Sequence, residues 1–274
     1  MRARIWLNVL VNLLFVLLAT LCLLPFWFMI TVASMDSGSL FSSLPLLPNL
    51  KLFSNFEQLM KTFNILRSFM NSMIVAMSST AMNLFFATLS GYAFAKLQFR
   101  FKEGLFAFVF ITMFIPGQLQ WIGFVQQMKQ VNLLDTWWPL ILPSLGSAFG
   151  IFVMRGYIGE AIPDSLIESA KLDGSNEMRT FFSIVVPLVV PMLASLAILT
   201  FMGAWNNFSG ALVILYSSKK FTLPLTLATI RNLQNIDYPL LCCGLLVSTL
   251  PIMAVFLAAS NYFIEALTSG AVKG

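Results

Sequence analysis

Six stretches of this chain run for eighteen residues or more without a single Asp, Glu, Lys or Arg: residues 6–34, 68–92, 104–128, 137–154, 184–216 and 239–263. A helix needs about 20 apolar residues to cross the roughly 30 Å hydrocarbon core of a bilayer. The pattern therefore predicts an all-α integral membrane protein with six transmembrane helices in contact with the lipid bilayer. The fifth stretch is too long for one straight crossing, so its ends must project or bend. The first is about twice the length of a signal-peptide apolar core and ends without a small-residue cleavage site, so it is read as a retained span. Composition agrees: 10% of the 274 residues are charged, against about 25% in soluble domains.

The net charge of +5 does not signal nucleic acid. No basic stripe exists; the cations stand at the ends of spans, where they set orientation. With the N-terminus inside, the cytoplasmic side takes Arg2, Arg4, Lys96, Arg100, Lys102, Arg155, Lys171, Arg179 and Lys273. The outer side takes Lys51, Lys61, Arg67, Lys129, Lys219, Lys220 and Arg231. Nine against seven is a small bias, and the cluster Lys96, Arg100, Lys102 after the second span supports it.

Absences narrow the chemistry further. The chain has no histidine, which removes Ser-His catalysis, HExxH zinc sites and histidine proton relays. It has no Gly-Lys dipeptide, hence no GxxxxGK[ST] phosphate loop and no ATPase site of that kind. No catalytic residue and no metal ligand set is expected. Cys22, Cys242 and Cys243 all fall inside apolar spans and read as small buried hydrophobes. Ion-coupled carriers keep ionisable groups at membrane depth; these spans hold none, so the energy for uphill movement is expected from another subunit.

Several motifs interrupt the apolar runs. In "MFIPGQLQWIGF", Pro116 removes a helix hydrogen bond and Gly117 loosens the backbone, which predicts a kink or unwinding in the third span. Gln118 and Gln120 follow at once. They suit a polar path, since broken backbone at membrane depth is tolerated against protein or a wet cavity; a packing kink with amides near the surface is the other reading. Gly146 and Gly150, one turn apart, predict a close helix approach. In "AWNNFSG", Trp205, Asn206 and Asn207 suit interhelical hydrogen bonds, or else a sugar ring and its hydroxyls.

Polarity is concentrated elsewhere. Between Arg155 and Arg179, 25 residues carry 8 of the chain's 16 basic and 11 acidic residues. Pro163 suits the first position of a helix, with Asp164 at its positive end. Leu166, Ile167 and Ala170 share one face, while Asp164, Glu168 and Lys171 share the other. Gly174 stops this helix in the left-handed conformation, and Ser175 can cap the next. Helices that lie on lipid favour basic polar faces. This one is acidic, which points to a protein partner.

The sequence "ESAKLDG", nine residues, then "IVVP" resembles the EAA signature of ABC importer permeases: Glu-Ala-Ala, three residues, Gly, nine residues, Ile-x-Leu-Pro. Glu168, Ala170, Gly174, Ile184 and Pro187 match in register; Ser169 replaces an alanine and Val186 a leucine. "NSMIVA" from Asn71, "GYAFAKLQFRFK" from Gly91, "MFIPGQ" from Met113, "LILPSL" from Leu140, "FTLPLTL" from Phe221 and the ending "SGAVKG" are similar to the maltose-type carbohydrate family, in its six-span subunit. The resemblance implies the type I ABC importer transmembrane fold. It divides the chain into an N-terminal span and outer loop (1–66), a permease core (67–262) with a coupling loop at 155–187, and a cytoplasmic tail (263–274). It implies coupling to an ATPase through Glu168, Ser169, Ala170, Asp173, Gly174, Ile184 and Pro187.

The resemblance further implies a second permease subunit, two copies of a cytoplasmic ATPase holding ATP and Mg, and an extracellular solute-binding protein. The setting would be a bacterial cytoplasmic membrane with both termini inside, and the cargo a sugar or oligosaccharide. Permeases for oligopeptides or amino acids, and an ATP-independent secondary carrier, are the alternatives. Where many relatives have an acid after Trp-Asn, this chain has Asn207.

Overall fold

The computed structural model describes residues 2–37, 47–231 and 236–271, with side chains for 6–37, 47–117, 119–231 and 236–258. Among them the chain is helical, without strands. Four helical stretches are long and apolar enough to cross a membrane: Trp6–Ala33, Ile65–Lys96, Trp138–Ala161 and Tyr238–Ala258. A fifth is a pair, Glu177–Leu188 and Val190–Trp205, bent by 80°. The third stretch, residues 104–128, is not one straight helix, as the Pro116–Gly117 pair predicts. That stretch is split into α4 (Lys102–Thr112) and α5 (Gly117–Gln130) by the break before Pro116. At 1.5 Å per residue these reach only about 16 and 21 Å, so neither crosses alone.

The chain forms two compact units. One comprises Met1–Leu66 and Thr226–Leu250. Here α1 (Arg2–Ala33) is apolar on all sides and exposed from Trp6 to Phe28, as a helix solvated by lipid tails must be. Cys22 is exposed on it, contrary to the expectation that all three cysteines are buried, because no neighbour covers this helix. The short amphipathic α2 (Lys51–Thr62) returns to the end of α1. Its Asn55 Nδ2 donates to the carbonyls of Ala33 (2.8 Å) and Met35 (2.9 Å), satisfying acceptors that every helix C-terminus leaves open.

The other unit comprises Arg67–Leu225 and Pro251–Gly274. Its spine is α3 (Ile65–Lys96). Helix α6 (Trp138–Ile141), a 3-10 turn (Leu142–Gly146) and α7 (Ala148–Ala161) form the next crossing. The α3–α7 approach is close. A Cβ on Gly91 would lie 2.6 Å from Met154 Cβ, and one on Gly150 would lie 2.9 Å from Ala87 Cβ. Gly146 lies in the 3-10 turn and meets nothing within 4 Å, so the glycine that complements Gly150 is Gly91.

After α7 come α8 (Asp164–Leu172), α9 (Glu177–Thr180), a π-turn (Phe181–Val185) and α10 (Val186–Leu188). Then α11 (Val190–Trp205) and α12 (Phe208–Ile214) follow. The expected bend of the fifth stretch falls at Val189, just after Pro187 and before Pro191, where two missing N–H groups weaken the ladder. The chain closes with α13 (Leu223–Arg231) and α14 (Tyr238–Ala271).

One apolar cluster joins Ala87 and Tyr92 of α3, Met154 and Ile158 of α7, Ile162, Ile167 of α8, and Phe181, Val185, Val189 and Leu196. A second joins Val75, Leu140, Ile141, Ala211, Ile214, Leu215 and Leu225 near the N-terminal half of α3.

Candidate coupling surface and solute path

The polar loop folds as two short helices around a glycine elbow. Pro163 takes the N-cap position rather than the first helical one, and Asp164 begins α8. The helix ends in a Schellman motif: Ser175 N–H donates to Ala170 O (2.9 Å) and Gly174 N–H to Lys171 O (3.0 Å), with Gly174 at φ +77. The next helix is capped by Asn176 rather than Ser175. Asn176 Oδ1 accepts from Arg179 N–H at 2.9 Å, while Ser175 Oγ pairs with Thr180 Oγ1 at 3.0 Å.

Two faces result. Ile167 and Ala170 are buried, and Ile167 fastens α8 to the first cluster. Leu166, expected beside them, stands 39% exposed, because a nine-residue helix seats only one narrow stripe. Glu168, Ser169, Asp173 and Gly174 face outward, and Leu172 is 89% exposed. Its chain neighbours, Lys171 and Asp173, are exposed as well. Ile184, half-buried, and Pro187, exposed, lie past the elbow in the π-turn and α10.

Three side chains that motif reading missed hold this unit in place. Lys96, its side chain 5% exposed at the end of α3, donates to Asp164 Oδ1 at 2.6 Å. That hydrogen bond, with the ammonium charge, holds the Asp164 carboxyl below its ordinary range. Tyr92 Oη donates to Glu177 Oε2 (2.7 Å), and Lys171 Nζ pairs with Glu177 Oε1 (2.8 Å). The elbow is thus tied from α3 through α9 back to α8.

The residues proposed for a path separate. Gln120 and Asn207 line one cavity of about 490 Å³ with Trp121, Phe124, Pro143 and Ser209. Trp205 is not part of it. It is 1% exposed, stacked on Phe201 at 5.8 Å and edge-on to Phe69 at 5.5 Å, so its ring belongs to the core. Asn206 is exposed just beyond α11. The side chain of Gln118 lies outside the described residues. Asn207 Oδ1 caps α12 by accepting from Gly210 N–H at 3.0 Å. An aspartate would cap equally well, but the amide does so without placing a charge in the cavity.

At the opposite end of this unit Asp135, itself at φ 56, forms a clasp. Its carboxylate accepts from Tyr216 N–H (2.9 Å), Ser217 N–H (2.9 Å), Ser217 Oγ (2.6 Å) and Lys220 Nζ (3.1 Å). Desolvation opposes ionisation there, yet these donors hold the carboxyl well below the usual range. Asn71 Nδ2 donates to the carbonyls of Lys219 and Phe221, and Trp137 Nε1 to that of Lys220.

The sequence profile of the family described as "Binding-protein-dependent transport system inner membrane component" matches residues 83–269. The chain belongs to that family. This inner membrane component is 31% identical over 267 residues to the arabinooligosaccharides transport system permease protein AraQ of Bacillus subtilis (strain 168), covering 96% of this chain and 95% of the relative. It is 28% identical to the melibiose/raffinose/stachyose import permease protein MelC of the same organism, over 96% of both. To the maltodextrin transport system permease protein MalD of Streptococcus pneumoniae it is 30% identical, over 90% of this chain and 89% of the relative. A chain from the crystal structure of a bacterial ABC transporter involved in the import of the acidic polysaccharide alginate superposes with a TM-score of 0.83 at 22% identity, covering 96% and 98%. The fold of the transport-system component is that of an ABC importer permease.

Proposed function

We propose that this chain is the sugar- or oligosaccharide-translocating permease subunit of an ATP-driven importer in a bacterial cytoplasmic membrane, with both termini cytoplasmic. It pairs with a second permease subunit, two ATPase subunits that bind ATP and Mg, and an extracellular solute-binding protein. The relatives named for arabinooligosaccharides, raffinose and maltodextrin favour this cargo over peptides, and over a carrier that works alone.

The observation that carries the reading is the two-faced α8. Ile167 locks it to α3, α7 and the bend of the fifth span, with Ala170 also buried, while Glu168 and Leu172 stay free to dock. A rigid lever of this kind transmits the closure of an ATPase pair to the spans. Nearly complete switching between two states needs about 5.5 kcal/mol of differential binding. A charge-assisted hydrogen bond from Glu168 supplies about 1.5–3 kcal/mol and is insufficient alone. Burial of Leu172 adds about 1.5–3 kcal/mol, which brings the docked helix close to the requirement.

Cross-linking tests this. In a background without the three native cysteines, Leu172→Cys should form an adduct with a cysteine in the groove of the ATPase subunit, and the adduct should block uptake. A complex that transports normally yet yields no adduct at any ATPase position would refute the reading.

A further inference from the structure

Two side chains in the middle of α3 are buried without partners. Ser79 (2% exposed) and Asn83 (4% exposed) sit halfway along a 32-residue helix, and neither Ser79 Oγ nor Asn83 Oδ1 has a hydrogen-bond partner. Such groups are rare, because each forfeits the full cost of its desolvation. Both line a cavity of about 360 Å³, shared with Ser144, Ser147, Thr200 and Asn207. Six neutral hydrogen-bonding side chains thus converge from α3, the 3-10 turn, the start of α7, α11 and its C-terminal end.

Little of this capacity is spent inside the protein. Ser147 Oγ accepts from Gly150 N–H, Ser144 Oγ donates to Ile141 O, and Asn207 uses only its Oδ1. No acid, lysine or arginine lines the cavity. Asn207 and Pro143 also line the 490 Å³ cavity bearing Gln120 and Trp121, so the two spaces share a wall. The position midway along a spanning helix, next to a second cavity lined by α5, is where transporters place solute sites.

We propose that Ser79, Asn83, Ser144, Ser147, Thr200 and Asn207 form a hydroxyl-reading station for a neutral saccharide, so that this subunit itself takes part in choosing the cargo. The proposal rests on the sugar-permease reading above. Paired donors and acceptors with no charge suit ring hydroxyls. A uronate carboxylate would be buried there without a cation, which is costly. A site that hydrogen-bonds a hydroxyl also rejects the analogue lacking it, since its own buried groups are then left unpaired.

The test uses the complete importer in proteoliposomes, with binding protein held constant so that differences report this chain. Raffinose, arabinotriose and maltotriose are supplied, each beside analogues with one hydroxyl replaced by hydrogen, together with an alginate trisaccharide. Asn83→Leu and the near-isosteric Thr200→Val should raise the uptake KM of the transported sugar about tenfold, the equivalent of about 1.4 kcal/mol. The preference for parent over deoxy sugar should collapse at one hydroxyl position. Unchanged KM and unchanged preference in both variants would overturn the station while leaving the sugar-permease reading intact. Uptake of the alginate fragment alone by the unaltered complex would overturn its neutrality. Accumulation of none of the probes, with ATP hydrolysis stimulated by binding protein, would overturn the sugar reading and the station with it.

Discussion

Lys96 at the end of α3 and Asp164 at the start of α8, 68 residues apart in sequence, meet at 2.6 Å. The lysine side chain is almost fully buried while the aspartate is open to solvent. The contact therefore holds the lever from its protected side and leaves the docking face clear. Lys96→Met should reduce ATP-driven uptake severalfold at equal membrane abundance, and Asp164→Asn should do so less, since an amide still accepts from the ammonium. The sign of the pH dependence follows from the lowered Asp164 carboxyl. Its contribution is full above the unfolded value of about pH 4 and lost only as pH falls through the lower folded one. The ratio of Asp164→Asn to unaltered uptake should thus stay constant from pH 5 to 8. A ratio that drifts across that range would contradict the assignment.

Gly174 offers a test without steric confusion. No atom lies within 4 Å of where its Cβ would be, so a side chain meets only the penalty of φ +77. That penalty is about 1–2 kcal/mol for an ordinary L-residue, and less for asparagine. Uptake at equal expression should rank Gly above Asn, Asn above Ala, and Ala above Val, the last suffering branching as well. Val equal to Asn would show that the elbow does not need the left-handed turn.

Gly91 is constrained by space instead. A methyl there would sit 2.6 Å from Met154 Cβ and 2.9 Å from Arg155 N. Overpacking of this kind costs about 1–3 kcal/mol, so Gly91→Ala should lower the thermal midpoint of the detergent-solubilised complex by several degrees. Gly146→Ala, with open space around it, should leave the midpoint unmoved.

At the other end of this unit, Asp135→Ala removes the acceptor of four hydrogen bonds to the segment 216–220. Hydrogen bonds to a charged group contribute about 1.5–3 kcal/mol each, net of the exchange with water. The variant should show faster amide exchange at Tyr216 and Ser217 than the unaltered chain, with exchange around α8 unaffected. Unchanged protection at those two amides would remove the clasp from the account.

The lever was legible in the sequence because Gly174 and the apolar positions Ile167 and Ala170 are dictated by short-range helix geometry. Its anchors were not. Lys96 read as one more cation at a span end, and Tyr92 as the last residue of a charge-free stretch, because only folding reveals that α3 returns beside α8 and α9. The break at Pro116 was readable from proline chemistry, whereas its extent, from Met113 to Pro116, was not. Trp205 and Asn207 are two residues apart, yet one faces the core and the other a cavity. The motif offered both for a path or for interhelical hydrogen bonds, and only the turn after α11 separates them. Ser79 and Asn83 gave no signal at all, since single polar residues in a span are ordinary until their burial and lack of partners are seen.

The central claim is that this chain moves solute only when α8 is driven by separate ATPase subunits. Raffinose accumulation in proteoliposomes, measured with the chain, its companion permease and the binding protein, first without and then with ATPase subunits and ATP, tests it most directly. The account predicts accumulation above the external concentration in the second case and none in the first. Uphill accumulation without the ATPase subunits would contradict it.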